Sequence, residues 1–388
     1  MANIGHTLGR QPQRTFGIGI ADRLHHIACF GMTGVGKSTL LAQLMRQDTM
    51  NEVGYCLIDP HGDLAQMVVK EAGDKAIYWD AADPACPYGY NPLTHVSEQY
   101  RSLVTSGLIE ALKRQWADAW GARMEHMLRY ALLSLLSRPN STIADIIPLF
   151  LNKEFRTQVL ATVSDQQVRQ FWETEYKAMI LKTAADGVAP IANKLGAFLA
   201  HPIVRKAVCT PKQPLRFQKL MDDGRILIVN LAKGRLGTDT ANVLGGLIVS
   251  SLAQAALSRS SIPETHRKPY FVYLDEYHSL STQSLADMLS ELRKYKLGLV
   301  LATQYSSRLD DGVKEAIFGN AGTLISFRVG ATDAGMLVKQ FGSDVPSPTD
   351  LTRLANYEMF VRLLIDGIQS RVFSARTIII EERDSTVA

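Results

Sequence analysis

A glycine-rich segment near the N-terminus restricts the fold of this chain more than any other feature. Residues 31–38 read G-M-T-G-V-G-K-S and match the pattern G-x-x-x-x-G-K-[S/T] at every fixed position. The apolar run 26–30 comes directly before the segment, and a helical pattern follows from Thr39. A strand, a loop and a helix in this order surround a phosphate with backbone N–H groups and a helix N-terminus. The pattern therefore predicts a phosphate-binding loop after a buried strand.

The residue types within this loop predict which groups bind a nucleotide. Lys37 is expected to reach the β- and γ-phosphates, and the Ser38 hydroxyl is expected to ligate Mg²⁺. ATP and Mg²⁺ are therefore the predicted cofactors, and the predicted nucleotide-binding residues of the loop are Gly31, Thr33, Gly34, Val35, Gly36, Lys37, Ser38 and Thr39.

A second apolar run ends in two carboxylates. Residues 270–274 read Y-F-V-Y-L and are followed by Asp275 and Glu276. We expect Asp275 to serve the Mg²⁺ ion together with Ser38, and Glu276 to orient and polarise the attacking water. A kinase or a simple GTPase does not need the second carboxylate, so the pair favours an ATPase that activates water.

Two further strand ends carry polar residues that are expected to face the same crevice. Gln304 follows the apolar run 299–302, and its amide can hydrogen-bond both a γ-phosphate oxygen and the attacking water. Asp59 ends the second apolar run and opens the turn D-P-H-G-D. It is a candidate for nucleotide binding, because ligands bind outside the carboxyl ends of parallel strands. The same segment is equally consistent with a plain turn in which Asp63 caps the next helix.

Short apolar runs alternate with longer helical patterns, which is typical of an α/β fold with a mostly parallel sheet flanked by helices. Between residues 93 and 205 the pattern is helical throughout. We therefore predict a core formed by residues 1–92 and 206–388, interrupted by an all-α insertion domain at 93–205. Strands are predicted at 27–30, 55–58, 76–79, 225–231, 270–274, 298–302 and 323–327, with a C-terminal β-hairpin of 359–365 and 370–378 that turns at Asp366-Gly367.

The composition excludes several classes of protein. The formal charge is +4, and 46% of the residues are hydrophobic, which excludes a disordered chain and a histone-like basic protein. The four cysteines lie far apart without a C-x-x-C pair, so neither a disulfide scaffold nor a zinc site is expected. The uncharged window 240–258 is interrupted by polar residues and predicts a buried helix rather than a bilayer span. A cytoplasmic protein without a membrane anchor of its own is expected.

Basic segments are candidates for contacts beyond the subunit. Spacing alone does not locate an arginine that acts across a subunit boundary; Arg293, in the cluster E-L-R-K-Y-K, and Arg328, after the run 323–327, are both candidates. The Arg293 cluster is also consistent with a solvated helix end. Lys233 and Arg235 lie in the segment K-G-R-L-G, which is suited to binding a nucleic-acid phosphate but is more typical of a charged surface loop.

These motifs together resemble the FtsK/HerA superfamily of hexameric DNA-pumping ATPases, and most of all the TraG/TraD-type coupling ATPases of conjugative type IV secretion. The resemblance implies a RecA-like P-loop NTPase core, a ring of six subunits with ATP at each interface, and DNA in a central channel. The resembling stretches are GMTGVGKSTLL at 31–41, LIDPHGDL at 57–64, NKLGAFLAHP at 193–202, ILIVNLAKGRLG at 226–237, VYLDE at 272–276, RKYKLGLVLATQ at 293–304 and GNAGTLISFR at 319–328.

The resemblance also implies a role for individual residues. Lys37 and Ser38 match the Walker A positions, and Asp275 and Glu276 match the Walker B positions. Gln304 matches the polar sensor, and with Glu276 and Arg293 it completes the predicted catalytic set. Arg293 lies where coupling proteins carry the residue that completes the neighbour's site, and Asp59 matches a strand-end acid of the HerA-like motif.

We therefore expect an ATP-driven, hexameric DNA translocase that hydrolyses ATP at its subunit interfaces. Coupling proteins usually have N-terminal membrane helices and HerA-type proteins an N-terminal barrel, whereas this chain begins almost at the ATPase core. That difference argues against docking at a membrane channel and favours a soluble translocase or a motor that a partner recruits. The candidate partners are a secretion channel, a relaxase and a nuclease. The alternatives are an ATPase ring that moves protein cargo and an ATP-switched scaffold that recruits a nuclease or relaxase.

Overall fold

The computed structural model describes residues 1–9, 12–94, 96–183, 185–280, 283–304, 306, 309–342 and 346–379. The chain divides into two compact units. The first, called the sheet unit, comprises Met1–Tyr78, Gln218–Asn230 and Arg259–Ala388. The second, called the helical unit, comprises Trp79–Phe217 and Leu231–Ser258.

The strands of the described residues have the following bounds: β1 (Ala2–Thr7), β2 (Thr15–Ile18), β3 (Ile27–Phe30), β4 (Gly54–Asp59), β5 (Ala76–Asp80), β6 (Tyr88–Gly89), β7 (Gln213–Pro214), β8 (Ile226–Asn230), β9 (Tyr270–Leu274), β10 (Leu297–Thr303), β11 (Thr323–Ser326), β12 (Glu358–Arg362), β13 (Leu364–Ile365), β14 (Ile368–Gln369) and β15 (Phe373–Thr377).

The α-helices of the same residues are α1 (Ile20–Arg23), α2 (Lys37–Met50), α3 (Asp63–Ala72), α4 (Arg101–Gln115), α5 (Ala122–Leu136), α6 (Ile146–Leu151), α7 (Lys153–Leu160), α8 (Gln166–Gln170), α9 (Tyr176–Thr183), α10 (Ala185–Ala200), α11 (Pro202–Cys209), α12 (Phe217–Asp223), α13 (Lys233–Leu236), α14 (Thr238–Ser258), α15 (Gln283–Glu291), α16 (Asp311–Asn320), α17 (Ala331–Phe341) and α18 (Pro348–Arg353). Short 3-10 turns lie at Gly73–Lys75, Glu98–Tyr100, Ala117–Ala119, Ile143–Asp145, Arg259–Ser261, Glu264–His266, Tyr277–Ser279 and Leu292–Tyr295, and a π turn lies at Phe171–Glu175.

The sheet unit is built on one mixed sheet with the strand order β2-β1-β15-β12-β11-β3-β10-β9-β4-β8-β5, in which residues 76–78 of β5 belong to this unit. The neighbours from β11 to β8 are parallel, and β12, β15, β1 and β2 are antiparallel additions at one side. Every residue of β3, β4, β8, β9, β10 and β11 is buried. Such continuous burial is expected when helices cover both faces of a parallel sheet.

Parallel pairing brings the carboxyl ends of the central strands to one edge. Thr303 of β10 pairs with Phe30 of β3, and Leu301 pairs with Leu274 of β9. Leu274 in turn pairs with Ile58 of β4. The segments that follow these strands therefore emerge side by side, and this edge carries the candidate site.

The seven predicted core strands are confirmed, with ends that differ from the prediction by at most one residue. The hairpin turn at Asp366-Gly367 is also confirmed; both residues have positive φ, 49° and 78°, as a type I′ turn requires. The hairpin is, however, divided into β12 and β15 in the main sheet and β13 and β14 at the tip. Strands β1 and β2 were not predicted, because they contain few consecutive apolar residues and depend on pairing with the distant β15.

The helical unit includes three segments that the predicted division assigned to the core, namely residues 79–92, 206–217 and 231–258. The last of these contains α14, which follows core strand β8 in sequence but packs along α4. A Cβ atom on Gly107 of α4 would lie 2.4 Å from the Ser250 Oγ and Gln254 Nε2 atoms of α14. Among the described residues one helix, Thr238–Ser261, is long and apolar enough to cross a bilayer, and 72% of its most apolar window is buried inside the protein.

A buried ion pair joins three elements of the sheet unit. The Arg23 guanidinium at the end of α1 donates to both carboxylate oxygens of Asp48 in α2, at 2.6 and 2.8 Å, and to the Tyr273 hydroxyl of β9 at 2.7 Å. Tyr273 donates its own proton to Asp48, and the guanidinium lies 3.9 Å from the centre of the Phe271 ring. Each charged group is therefore compensated, as full burial demands.

His26 fixes the beginning of the strand that leads to the glycine-rich loop. Its backbone has a φ of 68°, and its ring is 1% exposed. The Leu299 N–H donates to Nδ1 at 3.0 Å, so Nε2 carries the ring proton and donates it to the Leu289 carbonyl at 3.1 Å. Burial lowers the pKa of His26 to about 4.

We predict that His26 makes the stability of the protein sensitive to mild acid. An unfolded histidine has a pKa of about 6.5, so between pH 6.5 and 4 the unfolded chain binds a proton that the folded chain does not. The stabilisation is complete above pH 6.5, and about 2 kcal/mol of it is lost by pH 5. Urea unfolding at pH 7, 6 and 5 should show this loss in the wild type and not in His26→Asn, whose side chain tolerates positive φ. Parallel pH dependence of the two proteins would contradict the prediction.

Candidate functional site

At two positions of the loop between β3 and α2, the backbone has a conformation that only glycine adopts without strain. Gly34 and Gly36 have φ values of 76° and 118°. A Cβ atom on Gly36 would also lie 3.0 Å from the Tyr357 ring and 3.1 Å from the Phe327 ring. The loop is anchored by the Gly31 N–H to the Thr303 carbonyl at 3.2 Å, the Met32 N–H to the Arg328 carbonyl at 2.8 Å, and the Tyr357 N–H to the Val35 carbonyl at 2.8 Å.

Lys37 lies inside the loop that it is predicted to serve. It is the first residue of α2, and its Nζ donates to the carbonyl oxygens of Gly31 at 2.6 Å and Met32 at 2.8 Å. The side chain is only 6% exposed; burial lowers its pKa, opposed by Cys29 and the carboxylates of Asp275 and Glu276. If a phosphate bound in this loop, the Lys37 ammonium group would exchange two neutral carbonyl partners for a negatively charged one.

The other predicted loop residues contribute in different ways. Ser38 is exposed in the first turn of α2, where its hydroxyl is available to a metal ion at the loop. Thr33 is exposed at the tip of the loop and Thr39 is half-buried. The Val35 side chain is fully buried, so its contribution to a ligand is confined to its backbone.

Asp275 lies at the end of β9 in a negatively charged environment. Burial raises its pKa to about 6, the nearby charges of Asp59 and Glu276 act in the same direction, and Lys37 opposes them. Asp275 also accepts the Glu276 N–H at 3.0 Å, and Glu276 has a φ of 48°. A cation at this edge would relieve the repulsion among these carboxylates.

The side chain of Asp59 organises the turn after β4. Its two carboxylate oxygens accept the N–H groups of His61 and Ala65, each at 2.9 Å, and the side chain is 1% exposed. Helix α3 begins at Asp63 itself, preceded by Gly62 with a φ of 101°, so the prediction that Asp63 caps this helix is wrong. Asp59 caps α3 instead, because its carboxylate accepts the Ala65 N–H in the first turn of that helix. Asp59 contributes negative charge to the crevice.

A chain of hydrogen bonds crosses the carboxyl edge of the sheet. The Thr33 hydroxyl donates to the Gln304 side-chain oxygen at 2.8 Å, and the Gln304 amide donates to Oε1 of Glu276. The other Glu276 oxygen, Oε2, lies 3.0 Å from Nε2 of His61. The structure thus brings together Thr33, Gln304 and Glu276, and adds His61. The sequence predicts His61 only as part of a turn, and its position after a strand end is the one signal of a role in the site.

The donor set fits a magnesium ion held together with phosphates. Among the described residues, no group of three or more His, Cys, Asp or Glu side chains converges as a metal cage. Magnesium typically uses one or two carboxylates and completes its octahedron with water and phosphate oxygens. Asp275 and Ser38 provide such a partial set.

Arg293 lies away from the loop of its own chain. It is exposed in the turn Leu292–Tyr295 before β10, whereas Gln304 follows the other end of that strand. Seven strand residues at about 3.3 Å each separate the two ends by about 20 Å. Arg293 borders an open cavity of about 560 Å³ together with Lys294, Lys296, Glu264 and Glu291.

Arg328, the other candidate arginine, forms hydrogen bonds within its own subunit. Its guanidinium donates to the Leu354 carbonyl at 3.0 Å and to the Asn356 side chain at 2.9 Å. These contacts hold the segment before Tyr357, the residue that packs on Gly36 and binds the Val35 carbonyl. Arg328 therefore stabilises the glycine-rich loop indirectly, through the segment that positions Tyr357.

The basic segment after β8 belongs to the helical unit and forms a single helical turn, α13, rather than a flexed loop. The turn begins after Ala232 with a φ of 46° and ends at Gly237 with a φ of 82°. Arg235 forms an ion pair with Asp80, and Lys233 is half-buried. Part of the positive charge is thus compensated within the unit.

Comparison with known proteins agrees with this architecture. The chain is similar to the bacterial conjugative coupling protein TrwBdeltaN70, with 18% identity over 93% of this chain and 86% of that chain and a TM-score of 0.68. It is also similar to VirB4 of Thermoanaerobacter pseudethanolicus, with 12% identity over 97% of this chain and 96% of that chain and a TM-score of 0.68. TrwB in complex with ADP and Mg²⁺ matches with 18% identity over 93% and 87% of the chains and a TM-score of 0.66.

These similarities confirm a RecA-like P-loop NTPase fold, as the sequence resemblance implied. No curated protein sequence matches the chain. Residues 2–251 match the family model described as "Helicase HerA, central domain". Because this match covers more than half of the 388 residues, the chain belongs to the HerA helicase central-domain family.

Proposed function

We propose that the protein is an ATPase motor of the type IV secretion family that moves DNA, with ATP and Mg²⁺ as cofactors. The observation that carries the proposal is the convergence of Lys37, Asp275, Glu276 and Gln304 at one edge of the sheet. TrwB, whose fold this chain shares, has been solved with ADP and Mg²⁺ and with a non-hydrolysable ATP analogue.

Each of these side chains has a definite task in hydrolysis. Lys37 leaves the carbonyls of Gly31 and Met32 and stabilises negative charge that develops on the transferred phosphoryl group. Asp275 and Ser38 would hold Mg²⁺, which would neutralise charge on the phosphates. Glu276 accepts a proton from the attacking water, and Gln304, hydrogen-bonded to Glu276, orients that water.

We also propose assembly into a ring of six, as the resemblance implies, and the position of Arg293 supports an interface between subunits. The side chain is exposed and lies at the edge of the sheet opposite its own phosphate loop. An arginine in this position has no access to its own nucleotide and is placed to complete the site of a neighbouring subunit, as in rings built from head-to-tail interfaces. DNA would pass through the ring in the cytoplasm and contact basic residues, including Lys233 and Arg235, so that its binding weakens with salt.

We predict that hydrolysis depends on Lys37 and Glu276. Lys37→Ala should abolish nucleotide binding, whereas Glu276→Gln should still bind ATP but lose about 10²-fold or more in kcat, because the general base is removed. ATPase rates are measured with and without single- and double-stranded DNA, and Glu154→Gln, an exposed position in the helical unit, is the matched control. Wild-type turnover by Glu276→Gln would refute the role of Glu276 as general base, whereas a wild type that hydrolyses no ATP would refute the ATPase assignment. Turnover that neither form of DNA stimulates would refute the DNA substrate and favour protein cargo.

We predict that Arg293 acts on the neighbouring subunit. Arg293→Ala and Glu276→Gln should each be inactive, but an equal mixture should regain up to about a quarter of the wild-type rate, since one interface in four then combines an intact glutamate with an intact arginine. Lys294→Ala is the control for charge in the same turn, and Arg328→Ala should lose activity without complementation because it supports its own loop. A mixture as inactive as its components would contradict an action across the interface.

A further inference from the structure

His61 contacts the glutamate that is proposed to activate water. Its Nε2 lies 3.0 Å from Oε2 of Glu276, and the Gln304 amide occupies Oε1 of the same carboxylate. Neither oxygen of Glu276 is left without a donor in this arrangement. A carboxylate held in this way is fixed in orientation, and both of its oxygens already accept a hydrogen bond from the protein.

The position of His61 is determined by its loop and not only by its contact with Glu276. Its N–H donates to Oδ1 of Asp59, and the following Gly62 packs so closely that a Cβ atom would lie 2.6 Å from Oδ1 of Asn230. The Asn230 amide in turn donates to the Tyr78 hydroxyl at 3.1 Å. The imidazole is therefore presented to Glu276 by a turn that is fixed from both sides.

The two donors on Glu276 differ in their surroundings. Gln304 approaches from the neighbouring strand β10 and is itself bound by Thr33 of the phosphate loop. The His61 side chain is 49% exposed, whereas that of Glu276 is 16% exposed, so the imidazole approaches from the solvent side of the carboxylate. A contact from outside the subunit can therefore reach His61 more easily than it can reach Glu276.

We propose that His61 is a positioning residue that restrains Glu276 in the resting site and releases it during the hydrolytic cycle. This inference rests on the proposed ATPase function and specifies how that site is regulated. The restraint keeps basal hydrolysis slow, because the Glu276 carboxylate accepts a proton from water only after the Nε2–H donor has moved away.

Two substitutions separate the hydrogen bond from the bulk of the side chain. His61→Leu replaces the imidazole with an apolar side chain of similar size and so removes the donor. His61→Gln retains an N–H donor at a similar distance from the backbone. Steady-state ATPase rates without DNA give kcat and KM for both variants, and thermal unfolding and ADP binding test their integrity. We expect His61→Leu to raise basal kcat about tenfold with KM changed less than about twofold, and His61→Gln to stay close to the wild type.

The same measurements identify failure at each level. If His61→Leu lowers kcat, or if both variants keep the wild-type basal rate, the restraint is refuted while the ATPase function stands. If His61→Leu and His61→Gln accelerate hydrolysis equally, the donor is irrelevant and the inference also fails. If the wild type hydrolyses no ATP under any condition, the proposed function itself fails. Should His61→Leu unfold at a lower temperature, His61→Ala measured below that temperature provides the same comparison.

Discussion

Parallel pairing of β3, β4, β9 and β10 is the constraint on which the candidate site depends. Because parallel strands end at the same edge, residues far apart in sequence emerge next to each other without long loops. The paired positions Thr303 with Phe30 and Leu274 with Ile58 set the relative height of the four strand ends. A register shift of one residue would turn every side chain to the opposite face of the sheet and separate Gln304 from Glu276.

The same edge concentrates negative charge against a single nearby ammonium group. Asp59, Asp275 and Glu276 lie close enough for the first and last to raise the pKa of the middle one, and Lys37 compensates only in part. The protein maintains this imbalance with local hydrogen bonds, including the two backbone N–H groups on Asp59. An incoming cation therefore finds a site whose electrostatics are unfavourable until it binds.

Local sequence signals were sufficient for most of the sheet and for the phosphate loop. Buried strands such as β9 are continuous apolar runs, and the loop has fixed residues at fixed spacing, so both are visible without tertiary information. Strands β1 and β2 were missed because they have few consecutive apolar residues, and β1 joins the sheet only through β15, more than 350 residues away. The contact of His61 with Glu276 was missed because it depends on how a turn is placed against another strand. The capping role of Asp59 is local, but it depends on the conformation of the turn between β4 and α3.

His26 lies at the end of the sheet opposite the phosphate loop, next to the segment that leads to Arg293. Its ring binds the Leu289 carbonyl in α15, the helix that leads to Arg293, and the Leu299 N–H in β10, the strand that leads to Gln304. His26 itself begins the strand that ends at the phosphate loop. Arg293, proposed to complete a neighbour's site, and Gln304 of the chain's own candidate site thus lie beyond opposite ends of β10. Because a closely packed interior is hardly compressible, the buried His26 ring holds the start of β3 and the start of β10 at a fixed distance.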